Sequence, residues 1–140
     1  MERILIDTDI ILDFLFDRQP FSDDAAAVLS LCESGEIRGF VTPIIVSNLY
    51  YVLRRLATHE MIIERMPLLL SFLEILPIDK SVIFSAMTSG FKDFEDALQN
   101  YSAEQSNEID VIITRNVKDY KLSSLSVMPP DDFLKMRNTH

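Results

Sequence analysis

The sequence predicts an α/β fold: a central parallel sheet with helices on both faces. Apolar strand-like segments alternate with helix-patterned ones along the whole chain, the order that builds parallel sheets. The strands show no in–out alternation; Ile4, Leu5 and Ile6 are apolar on both sides and so are covered on both faces. No repeat, low-complexity tract or linker interrupts the chain, and only three glycines occur, so residues 1–140 read as one domain.

The elements follow in order. Residues 3–7 are a first strand. Residues 9–17 carry Ile10, Ile11, Phe14 and Leu15 at helical spacing. Ser22 caps a helix through Glu33, with Asp23 and Asp24 in its first turn, where the dipole favours acids, and Gly35 as its stop. "IRGFV" (37–41) is the second strand. Thr42 and Pro43 give a cap and a first-turn signal for a helix to about Ala57. Residues 60–75 continue as helix with a bend at Pro67, and "ILPI" (75–78) is a strand. A helix over 81–89 ends at Gly90, and Asp93 opens another to about Ser106. "DVIITR" (110–115), rich in β-branched residues, is a strand. "SVM" (126–128) is the last, before a helix that Pro129 and Pro130 start and that runs through Arg137.

At 48% hydrophobic and 25% charged residues the chain is globular rather than disordered. Cys32, the single cysteine, cannot form an internal disulfide and reads as core. Glu2, Arg3 and Asp7 break any signal-peptide pattern, and the apolar run 67–73 is far short of the roughly 20 residues that cross a bilayer. The expectation is a soluble, cytoplasmic protein without membrane contact. The net charge of −9, from 13 basic and 22 acidic residues, excludes gripping nucleic acid by bulk positive charge. It leaves open an enzyme whose carboxylates gather cations that in turn attract phosphate.

Parallel sheets bind ligands beyond the carboxyl ends of their strands. Asp7 ends the first strand there, and Thr114, Arg115 and Asn116 end a later one. A carboxylate directly after Ile4-Leu5-Ile6 is partly desolvated and needs compensation. Asp93 and Asp96 share one face at the start of a helix, where N–H groups keep acids ionised. If Asp7 and Asp96 converge with Asn116 or Asp119, one or two Mg²⁺ or Mn²⁺ ions could activate water for phosphoryl chemistry. His59 and His140 lie outside these groups, and no phosphate-binding glycine loop or zinc spacing occurs. Blander readings stand beside this one. Asp93 and Asp96 also make a helix cap. Asp9, Asp13 and Asp17 recur at helical spacing as on a solvated face. Asp119 before Tyr120 fits a turn, and Tyr50 and Tyr51 read as packing or a dimer surface.

"LIDTDIILDFL", "DFEDALQNYSA" and "VIITRNVKDY" together resemble the PIN-domain family of metal-dependent ribonucleases, which includes the toxin halves of many bacterial toxin–antitoxin pairs. The resemblance spans nearly the whole chain. It implies a three-layer α/β/α sandwich around a parallel sheet of four or five strands. It maps the family's first acid to Asp7 and its third to Asp96, with Asp93 beside it and Thr114, Asn116 and Asp119 nearby. The family often has Asn where this chain has Asp9. In "TPIIVSNLYYVLRR" the position of the usual second acid, a Glu, holds Asn48, which can ligate a cation but adds no charge.

The implied catalytic set is Asp7, Asp96, Asp93, Asn48 and Asp119, with Asp7, Asp96 and Asn116 holding Mg²⁺ or Mn²⁺. Thr8, Thr114, Arg115 and Lys118 would contact substrate phosphates, and Arg54, Arg55 and Arg65 would lie near an RNA path. The resemblance further implies cleavage of RNA, a homodimer and a small antitoxin partner. Two alternatives remain. The chain could be a nuclease-inactive binding module of the same fold, a reading that Asn48 favours. It could also be a haloacid-dehalogenase-like phosphatase with Asp7 as nucleophile, since "LIDTDII" is similar to that family's opening strand as well.

Overall fold

In the computed structural model, which describes residues 1–139, β1 (Arg3–Ile6) is the middle strand of a five-stranded parallel sheet. On one side it pairs with β2 (Arg38–Val41), which pairs with β3 (Leu73–Ile75). On the other it pairs with β4 (Val111–Ile113), which pairs with β5 (Ser126–Met128). The strand order is therefore β3-β2-β1-β4-β5. Seven helices flank the sheet in a three-layer α/β/α sandwich: α1 (Thr8–Leu15), α2 (Ser22–Glu33), α3 (Pro43–Leu53), α4 (His59–Leu70), α5 (Lys80–Met87), α6 (Phe94–Ser106) and α7 (Pro130–Asn138). A 3₁₀ turn, Val117–Tyr120, follows β4.

The strands are short and apolar because both faces are covered. Ile4, Leu5, Ile6, Val111, Ile112 and Ile113 all belong to the main core. Val82 and Ala86 of α5 form a second, smaller core with Ala97 and Leu98 of α6. Gly39 in β2 is there for space. A Cβ at this position would lie 2.5 Å from Cys32 Sγ and 2.8 Å from a Leu73 methyl, so α2 and β3 close on the bare backbone. Burial also pushes the Cys32 thiol up to about 12, as suits a core residue.

Three local expectations are corrected. Ser22 does not cap α2; its hydroxyl donates to Asp17 Oδ1 at 2.6 Å, and Asp17 has left the α1 helix with φ +50°. The helix from Pro43 stops at Leu53, and Thr58 starts a new one by accepting from the Met61 N–H at 3.2 Å. The third strand is Leu73–Ile75 rather than 75–78, with α4 ending at Leu70. Pro77 has no N–H for the ladder, so pairing ends as Leu76 N donates to Val41 O at 2.8 Å.

Chain order reverses at β1: β2 lies on one side of it and β4 on the other. That reversal opens a crevice at the carboxyl ends of β1 and β4, where open α/β sheets bind ligands.

Candidate active site

Asp7 leaves β1 with an extended backbone and caps α1, its Oδ1 accepting from the Thr8 N–H at 2.8 Å. Its own N–H continues the ladder to Ile113 O at 3.0 Å, which ties the residue to the end of β4. Asp7 Oδ2 accepts from the Thr114 hydroxyl at 3.0 Å and from the Tyr120 hydroxyl at 3.4 Å. Burial raises the Asp7 pKa, and the bonds from Thr8, Thr114 and Tyr120 offset only part of that.

Asp93 caps α6, accepting from the Asp96 N–H at 2.9 Å. The capping reading of this pair therefore holds, and it sets the direction of Asp96 one turn into the helix. Burial pushes Asp96 up to about 7, and the charges of Asp93, Asp7 and Asp119 push the same way. Asp7, Asp93 and Asp119 thus all lie within electrostatic reach of Asp96. No ion pair to Lys, Arg or His relieves any of the four among the described residues. The Tyr120 hydroxyl interacts with both Asp7 and Asp96, and burial and these two carboxylates hold the phenol well above its ordinary range. Sequence reasoning took Tyr120 only as the neighbour of a turn. Its aromatic ring after two polar residues was the available signal, and at 2% exposure it is one of the largest buried side chains.

Mutually repelling acids do not close up of themselves. Accordingly, no three carboxylate, imidazole or thiolate groups are gathered into metal-holding geometry among the described residues. The donor chemistry nevertheless suits a hard divalent cation. The clearest sign is Asp9 Oδ1, a buried carboxylate oxygen without any hydrogen-bond partner. Asp9 is pushed up to about 6 by burial first and by Asp7 next. Its other oxygen accepts from Arg115 N at 3.1 Å and from Asn116 Nδ2 at 3.5 Å.

Beside the acids a cleft of about 490 Å³ is lined by Lys92, Asp93, Asp96, Lys118, Asp119 and Lys121. Lys118, expected at substrate phosphates, lines this cleft with Lys92 and Lys121. Thr8 is half-buried, with its N–H on Asp7. Asn48, on α3, donates to Glu95 Oε2 of α6 at 3.5 Å, which places it against the same helix as Asp96. Arg54 and Arg55 are exposed after α3, and Arg65 lines an apolar groove between α3 and α4, away from the cleft. His59 bonds the Tyr50 hydroxyl at 2.9 Å, also away from the acids, and His140 lies outside the described residues.

Two expectations change. Asp13 is not on a solvated face: it is 0% exposed and accepts two bonds from Arg115, at 2.7 and 3.0 Å, with Arg18 at 3.6 Å. Arg115, expected at phosphates, has its guanidinium engaged there and stacked 4.0 Å over the Phe21 ring.

Comparison with known proteins agrees with this architecture. The sequence model described as PIN domain matches residues 3–118. No curated protein matches the chain in sequence. Among solved structures, FitAB bound to a DNA fragment contains a chain that aligns at TM-score 0.68 and 22% identity, covering 91% of this chain and 94% of that one. A toxin–antitoxin complex from Klebsiella pneumoniae aligns at 0.67 and 22%, covering 91% and 97%. VapC20 of Mycobacterium tuberculosis, a toxin that cleaves the sarcin–ricin loop, aligns at 0.58 and 13%, covering 78% and 86%. At these identities the likeness is one of fold.

Proposed function

The chain belongs to the PIN-domain family, and from that premise we propose that it is a metal-dependent endoribonuclease, the toxin half of a toxin–antitoxin pair. The observation that carries the reading is the approach of Asp7 and Asp96, far apart in sequence, to one tyrosine hydroxyl, with no ion pair to Lys, Arg or His on either among the described residues. A charge arrangement that costs stability and has no internal relief is what a cation site needs.

In this reading Asp7 and Asp96, with Asn116, would hold Mg²⁺ or Mn²⁺, which would lower the pKa of water and stabilise charge on a phosphodiester. The protein's own contribution is orientation. Thr114 and Tyr120 donate to the same oxygen of Asp7 and leave Oδ1 to the start of α1. Asp93 fixes the first turn of α6 and hence Asp96. Asp119 adds negative charge at the mouth. Thr8 and the cleft lysines Lys92, Lys118 and Lys121 would contact RNA phosphates, giving binding that weakens with salt.

The toxin assignment draws on structural neighbours that are toxin–antitoxin complexes, among them assemblies of Rickettsia felis and Haemophilus influenzae. By analogy the partner is a small antitoxin, and the working form is a cytoplasmic homodimer. A second reading, a binding module without nuclease activity, is favoured by Asn48. Its amide meets Glu95 and brings no charge of its own to the acids.

Incubating purified protein with RNA and Mn²⁺, beside an Asp7→Asn/Asp96→Asn double variant, separates these readings. Cleavage by the wild type alone is expected. Equal cleavage by both would mean a contaminating nuclease. Binding of RNA without cleavage by either would select the module.

A further inference from the structure

We propose that Asp13 and Arg115 form a positioning clamp behind the acids, holding Thr114 and Asn116 in place against Asp7 and Asp9. Arg115 then serves the site through its pairing with Asp13 and does not touch substrate phosphates. The functional consequence rests on the ribonuclease reading above; the geometry does not.

Three consecutive residues after β4 reach three carboxylates that lie in or just before α1. Thr114 donates through Oγ1 to Asp7, Arg115 through its backbone N–H to Asp9, and Asn116 through Nδ2 to Asp9. The Asn116 N–H also donates to Thr114 Oγ1 at 3.1 Å, so the three residues are coupled to one another. The Arg115 side chain adds an ionic tie to these bonds. Its Nε and Nη2 meet the two oxygens of Asp13, the paired geometry that fixes direction as well as distance.

Asp13 is buried completely, and Arg18 at 3.6 Å gives it a second, longer partner. A buried ion pair adds little stability over an apolar pair of similar volume. What it adds here is a fixed position for the peptide between Thr114 and Asn116. The guanidinium is used twice over, with its edge on Asp13 and its face on Phe21. The Nε–Nη2 edge, one of the two that could grip a phosphate, is therefore already occupied.

Residues that orient metal ligands from behind typically change metal affinity 10–100-fold when altered. The test measures Mn²⁺ binding without RNA, from the electron paramagnetic resonance signal of free Mn²⁺. Wild type, Asp13→Asn, Arg115→Lys, the double variant of these two, and Asp7→Asn are compared at a temperature where circular dichroism shows each folded. Asp13→Asn and Arg115→Lys should each raise the dissociation constant about tenfold or more, and the double variant should be no worse than the weaker single one, because both break one device. Asp7→Asn should abolish binding.

A second readout is the salt dependence of binding to a short fluorescein-labelled oligouridylate in EDTA. Loss of one phosphate contact on a single strand lowers the slope of log affinity against log salt by about 0.7. Arg115→Gln should leave that slope unchanged. An unchanged Mn²⁺ constant in both Asp13→Asn and Arg115→Lys, with Asp7→Asn impaired, overturns the clamp alone. A slope reduced by about 0.7 in Arg115→Gln does the same. Undiminished Mn²⁺ binding by Asp7→Asn overturns the ribonuclease reading instead, and the clamp's functional role with it.

Discussion

Replacing Asp96 with Asn should stabilise the protein above neutral pH and remove the ribonuclease activity proposed for it. Asp96 is pushed up to about 7 in the folded chain by burial and by Asp93, Asp7 and Asp119. An unfolded aspartate titrates near 3.9. Between these values the native state holds a proton that the unfolded state releases. Stability contributed by this group is therefore full below about pH 4, is lost progressively as pH rises, and is gone above about pH 7.

Three units at 1.36 kcal/mol each set a ceiling of about 4 kcal/mol. The side chain is half-buried and water screens part of the repulsion, so about 2 kcal/mol is the working figure. At about 3 °C per kcal/mol for a chain of this size, Asp96→Asn should melt about 6 °C higher than wild type near pH 8. The two should converge near pH 4, where the carboxyl is protonated. Melting curves by circular dichroism across this range, in EDTA, make the comparison. A wild type whose melting point does not fall between about pH 4 and pH 7, or a variant no more stable than wild type near pH 8, would refute the claim that Asp96 sits among uncompensated negative charges.

Three further outcomes are expected. Tyr120→Phe removes one donor from Asp7 while keeping the ring, and should cost about 1 kcal/mol in urea unfolding. Gly39→Ala should destabilise by about 1–3 kcal/mol through overpacking, and adding Cys32→Ala should recover part of that loss, because Sγ is the nearest obstacle. Mg²⁺ or Mn²⁺ should stabilise the wild type in a concentration-dependent way, by about 2.7 kcal/mol at a hundredfold excess over the dissociation constant, and so raise its melting point. A thermal-shift titration should show this effect lost in the Asp7→Asn/Asp96→Asn variant.

The central strands and the location of the acids were legible because both follow from rules that tertiary context reinforces. Ile4-Leu5-Ile6 and the β-branched run before Thr114 have no polar face to place elsewhere, so each marks a strand covered on both sides. A carboxylate ending such a strand in a parallel sheet has little choice of location. What could not be read depended on neighbours remote in sequence. The helical spacing of Asp9, Asp13 and Asp17 suggests a wet face only if nothing packs there. In the fold, Arg115 arrives from beyond β4 to cover Asp13, and Asp17 has left the helix. The hydroxyl of Tyr120 reaches the acids because the residues before it wind into a 3₁₀ turn, a local choice that "NVKDY" does not dictate. The third strand slid because it is a sheet edge, where Glu74 and Ile75 are exposed and weak patterning leaves its limits to Pro77.

Thr114 meets Asp7 across a separation of 107 residues. A ribosome therefore completes Asp7 long before its companions exist. Until β4 has left the exit tunnel and slipped in beside β1, the acids have no common address. A message cut short before this point yields fragments that carry Asp7 and lack the Thr114 hydroxyl that meets it.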